Sequence, residues 1–265
     1  MNGQPARFSK LLPFVCSLAA ENIVLNRSHF MAILLAFAAG VVLASYAGFR
    51  EFLPGLIEGA WVTVQITVLG AMLAVVAALI AALAKMYGPW PLRWLAIAYI
   101  EIFRGTSALV QLFWLFFVLP HFGIVLEPLT VAVLGLGLNV GAYGAEVVRG
   151  AIQAVPRGQW EASTALNMSR ASALSRIILP QALVAMIPPW GNLFVELLKA
   201  TALVSLITLG DLAFRAQQMN QTTLRTVDIF SIVLVIYLCL ALVLSQSMRA
   251  LERWAARGIA RGRVA

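Results

Sequence analysis

The chain has 265 residues, of which 62% are hydrophobic and 11% charged, and its mean hydropathy is +0.90. Soluble domains carry about a quarter charged residues, so a water-soluble globular fold is excluded. A formal charge of +8 would suit nucleic acid in a polar chain. In one this apolar it matches basic loops on one side of a bilayer, and no nucleic-acid partner is expected.

The first 29 residues are mixed, with Arg7, Lys10 and Arg27, and show no small-residue cleavage site after an apolar core. No cleavable signal peptide is therefore expected. Apolar runs then occupy roughly 30–48, 60–84, 94–119, 129–149, 180–208 and 229–249. Each is long enough to cross the hydrocarbon as a helix, which satisfies its own backbone hydrogen bonds. The expected fold is an all-α membrane protein of about six spans, the first being the shortest.

Several runs carry polar residues. The third holds Glu101 and Arg104, three apart and able to pair across a helical turn. The fourth holds Gly135, Gly137, Gly141 and Gly144, which at this spacing in an apolar span signal close helix packing rather than a dinucleotide loop. It also holds Asn139, and Glu146 with Arg149, a pair expected to neutralise itself near the interface. The fifth holds Pro188, Pro189 and Gly191, expected to break that helix ahead of Asn192, Glu196 and Lys199. Broken helices at mid-membrane commonly line solute sites, and an ionisable group there costs about 3 kcal/mol. Asn139, Asn192, Glu196, Lys199 and Thr201 are the expected solute path. For Glu196 with Lys199, a self-neutralised pair is the competing reading.

Between the fourth and fifth spans lies RGQWEASTALNMSRASALSRIILPQ, Arg157 to Gln181. Pro156 and Pro180 bound room for one helix of about five turns. Trp160, Thr164, Met168, Ala171, Leu174 and Ile178 recur every three or four residues and make one face, and Glu161 falls in the expected first turn. Periodicity allows either a helix resting on lipid or a peg fitting a partner's groove.

The basic residues set an orientation. With the N-terminus in the cytoplasm, fifteen basic residues fall inside, Arg50, Arg215 and Arg225 fall outside, and Lys199 lies within a span. That asymmetry obeys the positive-inside rule, and puts Arg157–Gln181 and the Arg-rich tail in the cytoplasm. No phosphate-binding GxxxxGK loop exists, Cys16 and Cys239 stand far apart, and His29 and His121 lie at ends of different spans on opposite sides. Neither a nucleotide site, a disulfide framework nor a metal site is expected, and no cofactor.

Glu161-Ala162-Ser163, followed by Ile178-Leu179-Pro180, resembles the EAA loop of bacterial ATP-binding cassette importer permeases. EIFRGTSALVQLFW (101–114), VPRGQWEA (155–162), ILPQAL (178–183) and ELLKATALVSL (196–206) resemble the polar amino acid subfamily, which serves amino acids, opines and ectoines. The likeness runs from about Leu56 to Arg253. Four positions depart from the family pattern: Asn167 stands for a glycine, Ser163 for an alanine, Ser107 for a proline and Ala200 for an aspartate. Asn also tolerates a left-handed turn.

The resemblance implies a non-catalytic permease subunit of an inner-membrane importer with a coupling helix. Arg157, Gly158, Trp160, Glu161, Ala162, Ser163, Asn167, Met168, Ala171 and Leu174 would dock it on a dimer of cytoplasmic ATPases. A periplasmic solute-binding protein and a second permease, identical or related, complete the implied assembly. The implied division is residues 1–54 as an N-terminal segment with an extra span, 55–253 as the permease domain, and 254–265 as a basic tail. The alternatives are an ion-coupled secondary transporter acting alone, for which no internal repeat is visible, and a membrane-embedded enzyme, for which no nucleophile–base cluster is visible.

Overall fold

The structure, a computed structural model, describes residues 46–260, with side chains over 51–255. The expected span at 30–48 lies almost wholly outside the described residues, as do Cys16 and His29. Those described are predominantly helical, with no strand among them.

Helix α1 (Tyr46–Tyr87) runs without interruption through Pro54. Its apolar part, Glu51–Tyr87, is about 55 Å long at 1.5 Å per residue, against about 30 Å of hydrocarbon. Its ends therefore stand outside the apolar layer. Pro89 caps α2 (Trp90–Gly105), and Pro91 occupies its first turn, where the missing N–H costs nothing. Thr106 and Ser107 are both extended. The chain leaves them as α3 (Ala108–Phe113), and the segment Ala108–Phe122 is turned 107° from α2. The expected third span is thus a bent pair.

Helix α4 (Pro128–Ala154) is the packing centre of the fold, most of its apolar window being buried. Its glycines explain why. A Cβ on Gly137 would sit 3.1 Å from the Gly70 carbonyl of α1, and one on Gly144 would enter the Trp190 ring. Small residues here let backbones approach, as in other membrane helix pairs.

After α4 come α5 (Arg157–Ala165) and α6 (Arg170–Ala173), then a π turn, Leu174–Ile178, that opens α7 (Leu179–Ala200). A 3₁₀ turn, Thr201–Ile207, extends α7, and α8 (Leu212–Thr223) leads to α9 (Thr226–Ala260). Helix α7 packs on both α4 and α9. Among the described residues four helices, Glu51–Tyr87, Pro128–Ala154, Arg170–Ile207 and Thr226–Ala255, are long and apolar enough to span, and there are five if the bent pair is one span.

Two expectations are corrected. The five-turn helix between Pro156 and Pro180 is two helices, and the second fuses with the fifth span. Pro180 does not end it. Without an N–H, Pro180 cannot bond the carbonyl four residues back, and the helix widens into a π turn just before it. The same pairing recurs in the bent span, where the π turn Trp114–Val118 precedes Pro120. Pro188, Pro189 and Gly191 do not break α7 either: all three lie inside continuous helix. Packing by α4 and α9 on either side holds it, as neighbours do for prolines in membrane helices.

Candidate functional site

Pro156 ends the extended link from α4 and caps α5. Helix α5 stops after Ala165 because Asn167 is left-handed, at φ 54°. The Met168 N–H donates to the Ser163 carbonyl at 3.1 Å, and the Asn167 N–H to the Thr164 carbonyl at 2.9 Å. This is the Schellman stop, with asparagine in glycine's usual place. The Ser169 hydroxyl then accepts the Ser172 N–H at 3.2 Å and starts α6.

The two faces of α5 differ from the expected stripe. Ser163 is buried, its hydroxyl donating to the Gln159 carbonyl at 2.7 Å. Trp160 turns inward and, with Tyr87, Ser163, Met168, Arg170 and others, lines a cavity of about 280 Å³ beneath the helix. Leu174 also packs inward, whereas Ala171 is exposed. The surface offered outward is Arg157, Gly158, Glu161, Ala162, Asn167 and Leu166, the last 73% exposed. Glu161 lies in the second turn, not the first, because α5 begins at Arg157. Leu166 was missing from the sequence-based set. An apolar residue just before a left-handed turn sits at a tip, and that was the available signal.

The expected path residues separate into two groups. Asn192, Glu196 and Lys199, at helical spacing on α7, are all exposed. Asn192 lines a cleft of about 350 Å³ between α7 and α9 with Pro188, Ser245, Arg249 and Glu252. Lys199 lines a second, apolar one of about 480 Å³ with Phe230, Leu234 and Tyr237. Glu196 and Lys199 form no salt bridge with each other. Thr201 is fully buried, its hydroxyl donating to the Leu198 carbonyl at 2.8 Å. Asn139 is also buried, at the bent span. Its amide donates to the Phe103 carbonyl at 2.9 Å and to Gln111 Oε1 at 3.2 Å. Gln111 in turn donates to the Phe103 carbonyl at 3.0 Å and to Thr106 Oγ1 at 2.6 Å. Two amides thus satisfy the Phe103 carbonyl, which α2 leaves open where it stops. Gln111 was the residue the sequence reading overlooked.

The paired charges resolve differently in each place. Arg149 Nε meets Glu146 Oε2 at 2.7 Å as expected, but Lys85 Nζ from α1 also meets Glu146 Oε1 at 2.7 Å. Glu101 and Arg104 do not pair, and the Arg104 guanidinium lies over the Tyr143 ring at 5.4 Å. Arg215 and Arg225 pair with Glu58 and Glu51 at 3.6 and 3.2 Å. Among the described residues no group of three or more His, Cys, Asp or Glu side chains could hold a metal ion.

Span-length apolar helices joined by a short exposed helix define a polytopic membrane protein. A family model, the binding-protein-dependent transport system inner membrane component, matches residues 70–257, and the chain belongs to that family. It is 47% identical over 215 residues to a "probable amino-acid ABC transporter permease protein" of Sinorhizobium fredii, covering 77% of this chain and 90% of that one. It is 38% identical to the L-cystine transport system permease protein of Bacillus subtilis (80% and 91% covered). Against the glutamine transport system permease protein of Escherichia coli it is 39% identical (76% and 93% covered). A solved amino acid ABC transporter with histidines superposes at a TM-score of 0.74 and 36% identity, over 78% of this chain and 97% of that one. The MetNI methionine transporter, at 19% identity and a TM-score of 0.66, shares the fold. The chain is thus an ABC transporter permease, and the reading as a secondary transporter acting alone falls away.

Proposed function

We propose that this permease carries polar amino acids or related zwitterions, opines and ectoines included, inward across the bacterial inner membrane. The names of its relatives support the solute class. The chain itself does no covalent chemistry. A periplasmic binding protein delivers solute, two permease subunits enclose the path, and two cytoplasmic ATPases close on ATP to switch access. Both termini are cytoplasmic. The permease domain covers 55–253, after an N-terminal segment with an extra span (1–54) and before a basic tail (254–265).

The observation that carries the reading is the exposed peg between two spans: α5, closed by the left-handed Asn167 and tipped by Leu166. A lipid-resting helix would turn its aromatic residue outward, whereas Trp160 points into the protein. The docking surface is therefore Arg157, Gly158, Glu161, Ala162, Asn167 and Leu166. Trp160, Ser163, Met168 and Leu174 anchor the peg, and Ala171 lies beside it. On α7, Asn192, Glu196 and Lys199 face the path or the second permease. Lipid would penalise two exposed charges within a span. Asn139 and Thr201 shape the wall behind them.

The test is uptake into proteoliposomes of labelled glutamine, cystine and arginine. The complete complex should accumulate at least one when ATP and binding protein are supplied, and the permease alone should accumulate none under an ion gradient. Uptake by the chain alone would refute the reading.

A further inference from the structure

The coupling helix is tied directly to α4 by only Val155 and Pro156. At this end Ala78, Ala81 and Ala82 of α1 share one buried apolar core with Val148 and Ile152 of α4, and two further contacts add to it. One is Tyr87, on the wall of the cavity beneath α5 that Trp160, Met168 and Ala173 also line. The other is Lys85, two residues earlier, whose ammonium sits 2.7 Å from Glu146 of α4. Glu146 is held on its other oxygen by Arg149 at 2.7 Å, and Arg149 donates to Gln153 Oε1 at 2.6 Å. Side-chain exposures of 23% for Lys85 and 20% for Glu146 leave this pair less screened than a surface one. The hydrogen-bonded chain Lys85, Glu146, Arg149, Gln153 therefore descends α4 towards α5, and it meets α1 between Lys85 and Glu146.

We infer that the Lys85–Glu146 ion pair, beside the apolar packing of α1 on α4, helps carry displacement of the coupling helix to α1, with Arg149 and Gln153 orienting the Glu146 carboxylate. This rests on the reading of α5 as the ATPase-docking helix. Lys85, Glu146 and Arg149 are positioning residues: none touches solute or nucleotide. The link has a direction. Removing Lys85 cuts the ionic contact with α1, while removing Arg149 leaves that contact in place and only loosens Glu146.

The test uses the whole complex in proteoliposomes, with glutamine, cystine and arginine as the labelled probes, and reads solute accumulated per ATP hydrolysed. Because this ratio counts only assembled, hydrolysing complex, a lower yield of a variant does not enter it. Lys85→Met should lower the ratio roughly two- to thirtyfold, the range seen for residues that carry coupling between sites. Arg149→Met should lower it less, and Lys85→Arg, which keeps the charge, should restore most of it. An unchanged ratio in Lys85→Met, or an equal loss in Lys85→Arg, would overturn the inference. If the wild-type complex shows no ATP-driven uptake, the coupling reading itself has failed. Wild-type uptake with an indifferent Lys85→Met fails this inference alone.

Discussion

Two residues set the local geometry on which the account depends. Asn167 holds φ 54° at the tip of the peg. A β-branched side chain there is strained by at least about 1 kcal/mol, whereas glycine is not. Asn167→Gly should leave ATP-driven uptake at the wild-type level, and Asn167→Val should reduce uptake along with ATPase copurification. Asp211 is the second. It is fully buried at the start of α8, where its carboxylate accepts the Phe214 and Ala213 N–H groups at 2.9 and 3.3 Å, and burial still pushes its pKa up to about 6. A carboxyl raised above its unfolded value contributes stability below about pH 4, and that contribution is lost as pH rises through about 6. Wild type should lose on the order of 2 kcal/mol between pH 4 and 7.5 relative to Asp211→Asn, which keeps the cap without the titration. Thermal unfolding of the purified permease at the two pH values measures it. The left-handed turn was legible because asparagine stands where the family pattern has glycine. The burial of Ser163 and Trp160 was not, since it depends on the cavity wall that α1 and α6 supply.

Among the elements, the spans themselves were readable because apolar length alone decides them: four of the five expected within the described residues are single span-length helices, and the fifth is the bent pair. The breaks were misplaced. Pro188 and Pro189 announce a break that flanking helices prevent, while Gly105-Thr106-Ser107, modest in sequence, makes the 107° bend. What decides between them is the supply of partners for freed carbonyls. Gln111 and Asn139 reach the end of α2 from elsewhere in the fold, a meeting that spacing cannot reveal. Ser107 already holds φ −69°, the value a proline ring enforces, and Thr106 before it is extended as a residue preceding proline must be. Ser107→Pro should therefore be tolerated and stabilise by roughly 0.4–1 kcal/mol through the unfolded chain. A raised thermal midpoint with normal uptake is the expected outcome, and a lowered one would show that the bend needs the serine.

At the scale of the molecule, orientation and coupling are one problem. The basic residues expected outside are few, and two of them are matched by acids: Arg215 by Glu58, Arg225 by Glu51 and Asp228. This leaves the unbalanced positive charge on the side of the peg and the tail. A cysteine at position 170 should react with a membrane-impermeant maleimide only after the inner face is opened, and labelling in intact cells would reverse the topology. The central claim, that α5 transmits ATPase closure, is tested most directly at Glu161, which is exposed on the peg. Glu161→Lys reverses the charge offered to the partner without touching a span, so insertion should be normal. Copurification with the ATPase and ATP-driven uptake should be measured together on wild type and Glu161→Lys. Lost copurification, or retained binding with uptake no longer following ATP hydrolysis, is the expected result; association and uptake both at wild-type levels would contradict a coupling role for α5.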